Sequence, residues 1–225
     1  MNSRVILVSD DRSSLRSPDT LLWPDAACMR GIHTGEWTAH IFEYAMSFEG
    51  NMTQVRELAA ANGVGVLHPH GALATDPPGL IVCDVDSTVT RTEAIDLLAE
   101  CAGNADEVRE ITARAMVGEL DFTQSLYARV RCLEGLHIGA LEEAWKATVI
   151  TPGTAELVAA AHDVGAAVGL VSGGFTAIVD PLAEQIRADF AASNELEIVD
   201  NHLTGRVVGD IIDRAAKATW LQIGR

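Results

Sequence analysis

The chain has 225 residues, is 48% hydrophobic and 21% charged, and carries a formal net charge of −16. That length buries a sizeable core as one medium domain or two small ones, and the acidity argues against a general nucleic-acid or anionic-membrane surface. Residues 80–225 hold 23 acids and 11 bases, against 9 and 5 in residues 1–79, so an anion pocket in the second part must be locally positive.

Taken in chain order, "RVILVS" after the first residues predicts a strand. It is too short for the apolar core of a signal sequence and runs straight into two aspartates. Phe42, Tyr44, Met46 and Phe48 alternate with smaller or polar residues and predict another strand. "NMTQVRELAAANG" predicts a helix stopped at Gly63, and "VGVL" a short strand. These elements make residues 1–75 a small α/β unit. The Pro- and Gly-rich stretch 68–79 is read as the linker after it.

A strand is predicted over residues 80–83, followed by a run of helices: "TEAIDLLAECAG" capped by Thr92, "ADEVREITARAM", "DFTQSLYARVRCLEG" and "GALEEAWKATV". Asp121 and Gln124 have capping-box spacing. The four form a helical insert over about 92–148. Alternation then returns, with a helix at "TAELVAAAHDVG", a strand at "AAVGLVS" and a helix opening in "GGFTAIVDPLAEQI". Helix alternating with strand predicts an α/β fold with a parallel sheet, whose ligand site lies beyond the carboxyl ends of the strands. No apolar run approaches the length of a membrane span. Cys28, Cys83, Cys101 and Cys132 show no C-x-x-C spacing, which gives zinc little support, and the absence of a signal peptide favours reduced thiols in the cytoplasm.

The chemistry is concentrated in "IVCDVDSTVT", residues 81–90. Asp84 and Asp86, two apart on an extended chain, point the same way. Two such charges beside an apolar core need a cation between them. Mg²⁺ suits the pair, and an aspartate polarised by it can attack phosphorus while the second handles protons. D-x-D alone equally describes a strand ending in a metal-free turn. An EF-hand is excluded, because Val89 and Ile95 stand where that loop needs glycine and glutamate. In "LVSGGFTAIV", Ser172, Gly173 and Gly174 offer a hydroxyl and closely approaching backbone donors for an anion, or simply a serine cap before a tight turn. Lys217 is one of only two lysines, with Lys146. A compact ammonium suits a phosphate clamp, as it does a solvated helix face. Together these residues supply nucleophile, acid/base, anion cradle and counter-charge, the parts of phosphoryl transfer.

"DVDST", "EAIDLLAECAG", "TARAMVGELDFTQSLYARV", "LVSGGFT", "SNELEI" (Asn194 kept, Ser193 for an alanine) and "TGRVVGDIIDRAAKATWL" resemble the phosphoserine phosphatases of the haloacid-dehalogenase-like superfamily over roughly residues 80–221. The resemblance implies a Rossmann-like core over residues 80–225 with a helical cap. It implies cytoplasmic, Mg²⁺-dependent hydrolysis of L-phosphoserine, the last step of serine biosynthesis. Asp84 would be nucleophile and metal ligand, and Asp86 the acid/base, binding metal through its carbonyl. Ser172, Gly173 and Lys217 would hold phosphate, Glu93 the ammonium and Arg129 the carboxylate. Met116 and Phe122 would line the cap. Family members continue past the lysine into a "GDGAND"-like loop with a further metal-binding aspartate. Without that loop, weak metal affinity and poor turnover are expected of residues 1–225 alone, with backbone groups of 80–83 left unpaired. The N-terminal unit is compatible with an ACT-like regulatory domain, a dimerisation module giving a homodimer, or a plain cover. Competing readings are a phosphatase for another phosphomonoester, a non-catalytic binding relative, and, more distantly, a glycosyltransferase that would leave Lys217 without a task.

Overall fold

The computed structural model describes residues 3–9, 27–33, 38–44, 52–69 and 71–223. The chain divides into two compact units, Met1–Pro77 and Pro78–Arg225.

In the first unit, β1 (Ser3–Ser9), β2 (Ala27–His33), β3 (Thr38–Tyr44) and β4 (Gly65–Leu67) form a sheet of order β2-β3-β1-β4. β1 pairs antiparallel with both β3 and β4. Helix α1 (Met52–Ala61) is followed by Gly63 at φ +68°, a left-handed turn that glycine makes without steric cost. The alternation over 42–48 holds as strand through Tyr44, while Met46 and Phe48 lie outside the described residues. β2 was not legible, since its Arg and Gly interrupt any apolar alternation.

The second unit is built on β5 (Leu80–Cys83), β6 (Ala167–Phe175), β7 (Phe190–Val199) and β8 (His202–Val208), in that order. β5, β6 and β7 run parallel, and β8 returns antiparallel. Among the described residues β5 pairs with β6 alone. β6 is an inner strand covered on both faces: Val168, Leu170 and Ser172 are buried on one and Val171 on the other. Helices α6 (Thr154–Asp163) and α7 (Thr176–Ile186) flank it, their Val158, Ala161, Val179 and Leu182 joining Val168 and Leu170 in one core. The strand-to-helix boundary differs from expectation: β6 continues through both glycines and α7 opens only at Thr176.

Between β5 and α6 lie α2 (Ala94–Ala102), α3 (Ala105–Met116), α4 (Phe122–Arg131) and α5 (Gly139–Ala147). Their shared core includes Leu98, Val108, Leu126 and Leu133. Both bonds of the Asp121–Gln124 capping box form, at 2.8 and 3.0 Å. The insert leaves and rejoins the sheet side by side: Arg91 N–H donates to Val149 O at 2.7 Å and Thr151 N–H to Val89 O at 2.8 Å. Helix α8 (Arg214–Ile223) follows β8. No helix among the described residues is long and apolar enough to cross a membrane.

Asp189 fastens the start of β7 to β6, accepting the Val168 N–H at 2.7 Å and facing His162 Nε2 at 3.0 Å. These two bonds hold its carboxyl below the usual carboxylate range. A depressed carboxyl contributes stability above its unfolded value of about 3.9 and loses it as pH falls through the lower folded value. Asp189→Asn should therefore cost no more than about 1 kcal/mol near neutrality, given its exposure. Urea midpoints of variant and parent should converge as pH falls below about 4.

Candidate active site

The site begins where β5 stops. Asp84 is extended (φ −72°, ψ 159°), and its Oδ1 accepts the next N–H, that of Val85, at 2.9 Å. The chain then makes one wide turn, closed by Thr90 N–H donating to Val85 O at 2.9 Å. Within it Ser87 takes a left-handed φ of +55°, uncommon for a non-glycine residue and a mark of local strain. The two aspartates thus converge through a turn, where strand alternation was expected to bring them together. Both still face one cleft of about 180 Å³ at the carboxyl ends of the parallel strands.

Asp86 is fixed by bonds from distant segments. Its Oδ1 accepts the Ala94 N–H at 3.1 Å and its Oδ2 faces the Ser172 hydroxyl at 3.4 Å. Asp86 therefore caps α2 from eight residues upstream, the role expected of Thr92. The Thr92 hydroxyl instead accepts the Val149 N–H at 3.3 Å, and Glu93 occupies the N-cap without a side-chain bond to the helix N–H groups. Burial pushes the Asp86 carboxyl up; Glu93 and Asp84 push the same way, against the bonds from Ala94 and Ser172.

β6 supplies the floor. Ser172 is fully buried, and its Oγ accepts the Gly174 N–H at 2.8 Å. A Cβ on Gly173 would stand 2.7 Å from the Phe122 ring, and one on Gly174 2.6 Å from Asp86 Oδ2, so a side chain at either position would push Phe122 or Asp86 from its place. From α8, Lys217 Nζ meets Asp84 Oδ1 at 2.7 Å. The helix start is held by Asp213, whose Oδ1 accepts the Ala216 N–H at 2.8 Å.

The helical insert closes the other side. Glu93 and Arg129 both line the cleft, as do Phe122 and Leu126. Glu93 accepts the Ser87 hydroxyl at 3.2 Å, and Arg129 Nε donates to Ser125 O at 3.3 Å. Burial lowers the Arg129 guanidinium from its usual value, while Glu93, Asp96 and Asp86 pull it back up. Met116 stands apart from the cleft, its side chain 84% exposed at the end of α3.

Of the expected site residues, Asp84, Asp86, Glu93, Phe122, Arg129, Gly173 and Lys217 thus surround one cleft, with Ser172 directly behind it. Asn194 went without a role in the sequence reading. It is buried and joins two of the site's segments: its Nδ2–H donates to Gly173 O and its Oδ1 accepts the Ile212 N–H, both at 2.9 Å. The available signal is an amide within a strand, which must find partners if buried.

Among the described residues no third acid, His or Cys joins the aspartates in a metal-binding group. Two carboxylates, one with an oxygen outside the hydrogen bonds above, nonetheless fit a hard divalent cation that draws the rest of its shell from water and a phosphate.

The profile of haloacid dehalogenase-like hydrolases matches residues 81–223. A Streptomyces coelicolor protein named phosphoserine phosphatase is 49% identical over 164 residues, 73% of this chain and 40% of its own length. Mycobacterium tuberculosis phosphoserine phosphatase SerB2 is 45% identical over 166 residues, 74% of this chain and 41% of its length. The chain thus spans about two fifths of either relative. An unliganded structure of a probable phosphoserine phosphatase from Vibrio cholerae superposes with a TM-score of 0.77 at 32% identity, over 98% of this chain and 67% of that one. The matched segment takes in the paired aspartates, the helical insert, the glycine floor and Lys217, and the chain belongs to the haloacid dehalogenase-like hydrolase family.

Proposed function

We propose that the second unit is a Mg²⁺-dependent phosphatase that hydrolyses L-phosphoserine through an aspartyl-phosphate on Asp84. The observation that carries this reading is the Asp84–Lys217 contact of 2.7 Å in a cleft that also holds one acid, Glu93, and one guanidinium, Arg129, on the insert side. Phosphoserine has matching groups: a phosphate for the floor, an ammonium for Glu93 and a carboxylate for the Arg129 fork. The Ser172 hydroxyl and the Gly173 backbone would take phosphate oxygens.

In the first step an Asp84 oxygen bonds to phosphorus as the ester P–O bond breaks. The departing serine oxygen takes the proton of Asp86, whose raised carboxyl suits it to an acid. Water then attacks phosphorus, Asp86 accepts its proton, and the acyl-phosphate P–O bond breaks to return the Asp84 carboxylate with inorganic phosphate. Lys217 offsets charge on Asp84 and the phosphoryl oxygens throughout. The cleft lining itself carries three acids and two bases, a poor host for a phosphate dianion. A Mg²⁺ held by Asp84 and Asp86 would supply the missing positive charge and polarise the phosphoryl group.

Phosphate release from L-phosphoserine with Mg²⁺, abolished by EDTA, tests the reading. Release that is indifferent to EDTA would remove the metal from it. The substrate assignment has its own test in Glu93→Ala and Arg129→Ala. Each deletes a charged partner of the amino-acid moiety and should lower kcat/KM for phosphoserine roughly 10- to 150-fold. Hydrolysis of an aryl phosphate, which has neither group, should change little. Equal losses on both substrates would point to another phosphomonoester.

A further inference from the structure

We propose that Asn194 is a positioning residue that moors α8, and with it Lys217, to the glycine floor of the cleft. The inference rests on reading Asp84 and Lys217 as the reacting centre. Asn194 is only 1% exposed and lies in β7, next to β6 in the sheet. Its two bonds demand opposite polarity. Gly173 O can only accept and takes the amide N–H at 2.9 Å; Ile212 N–H can only donate and is met by Oδ1 at 2.9 Å. Ile212 immediately precedes Asp213, whose carboxylate caps the helix and whose carbonyl accepts the Lys217 N–H at 2.9 Å. One side chain thus spans from the strand that forms the floor to the segment that sets where Lys217 begins its reach towards Asp84. A hydroxyl would satisfy one partner, and an apolar residue neither, leaving buried polar groups open.

The readout is direct because the chain has only two lysines. Lys146, paired with Glu142 at 2.6 Å on the exposed face of the insert, is the internal reference for Lys217. The 225-residue chain is treated with a limiting amine-acylating reagent, and the two acylation rates are read by peptide mass spectrometry. In Asn194→Leu both bonds are lost, and losing the one to Ile212 N–H should let the helix start open at least about fivefold more often, raising the Lys217 rate by a similar factor and leaving Lys146 unchanged. Asn194→Gln keeps both the N–H for Gly173 O and the oxygen for Ile212 N–H on a longer side chain and should bring the rate back towards the parent. If the leucine variant does not fold, Asn194→Ser takes its place with the same expected direction. A folded variant with an unchanged Lys217 to Lys146 ratio overturns the proposal, and so does a folded glutamine variant no better than leucine. Because the readout does not use turnover, the mooring stands or falls on the shift whatever the activity of the parent chain on phosphoserine.

Discussion

Asp84→Asn should bring whatever phosphate release the parent shows down to background, while leaving the fold as stable as the parent to within about 1 kcal/mol. The two expectations have separate causes. Asparagine keeps the shape and an oxygen for the Val85 N–H, but a neutral amide is too poor a nucleophile to open a phosphate ester. Stability changes little because two effects oppose each other. The variant gives up the 2.7 Å contact with Lys217, whose side chain is 32% exposed beside a 49% exposed Asp84, and such a pair is well screened. It also removes a negative charge that crowds Asp86, which that charge helps push up. Phosphate release and a urea or thermal melt on the same samples separate the effects. Release persisting above about one part in a hundred of the parent rate would mean that the attacking oxygen is not on Asp84. Lost release with a collapsed melt would mean that Asp84 is chiefly structural.

The same residues show what was legible in the sequence. Asp84 and Asp86 stood out because an apolar run ends in two charges, and burying charge without a partner is expensive. The α4 boundary could be read to the residue because a capping box is a local device. The cap of α2 could not be, since its acceptor comes from Asp86 on the far side of the Ser87 turn, and no spacing rule anticipates a left-handed serine. The β7–β8 hairpin went unread although Asp200 and Asn201, both at positive φ, make its two-residue turn. That pair lacks the glycine that usually announces such a turn. Glu93, Arg129 and Lys217 lie on three helices far apart in sequence. Periodicity says nothing of their meeting, and the family resemblance alone brought them together. Met116 shows the limit of that transfer: the resemblance put it in the lining, and the fold leaves it at the exposed end of α3.

Gly169→Ala should lower stability by about 1–3 kcal/mol, the usual range for overpacking a core, and should disturb the site without touching it. A Cβ at Gly169 would overlap the ring of Phe190, its register partner on β7. The ring is not free to move, because it stacks on Trp220, with centroids 5.9 Å apart and planes 16° from parallel. The strand cannot retreat either: Val168 and Leu170, on either side, are fully buried against α6 and α7. The displacement must pass into α8, where Trp220 lies one turn beyond Lys217. A lower urea midpoint should therefore be accompanied by faster acylation of Lys217 relative to Lys146. Adding Phe190→Leu, which removes the ring, should recover part of the lost stability despite the smaller residue, the non-additivity expected of side chains in contact. If Gly169→Ala melts like the parent, Phe190 has room to move that the packing here denies it. If the midpoint falls while the Lys217 ratio holds, the strain is absorbed within the sheet, and α8 owes its position to Asn194 and Asp84 more than to the aromatic stack.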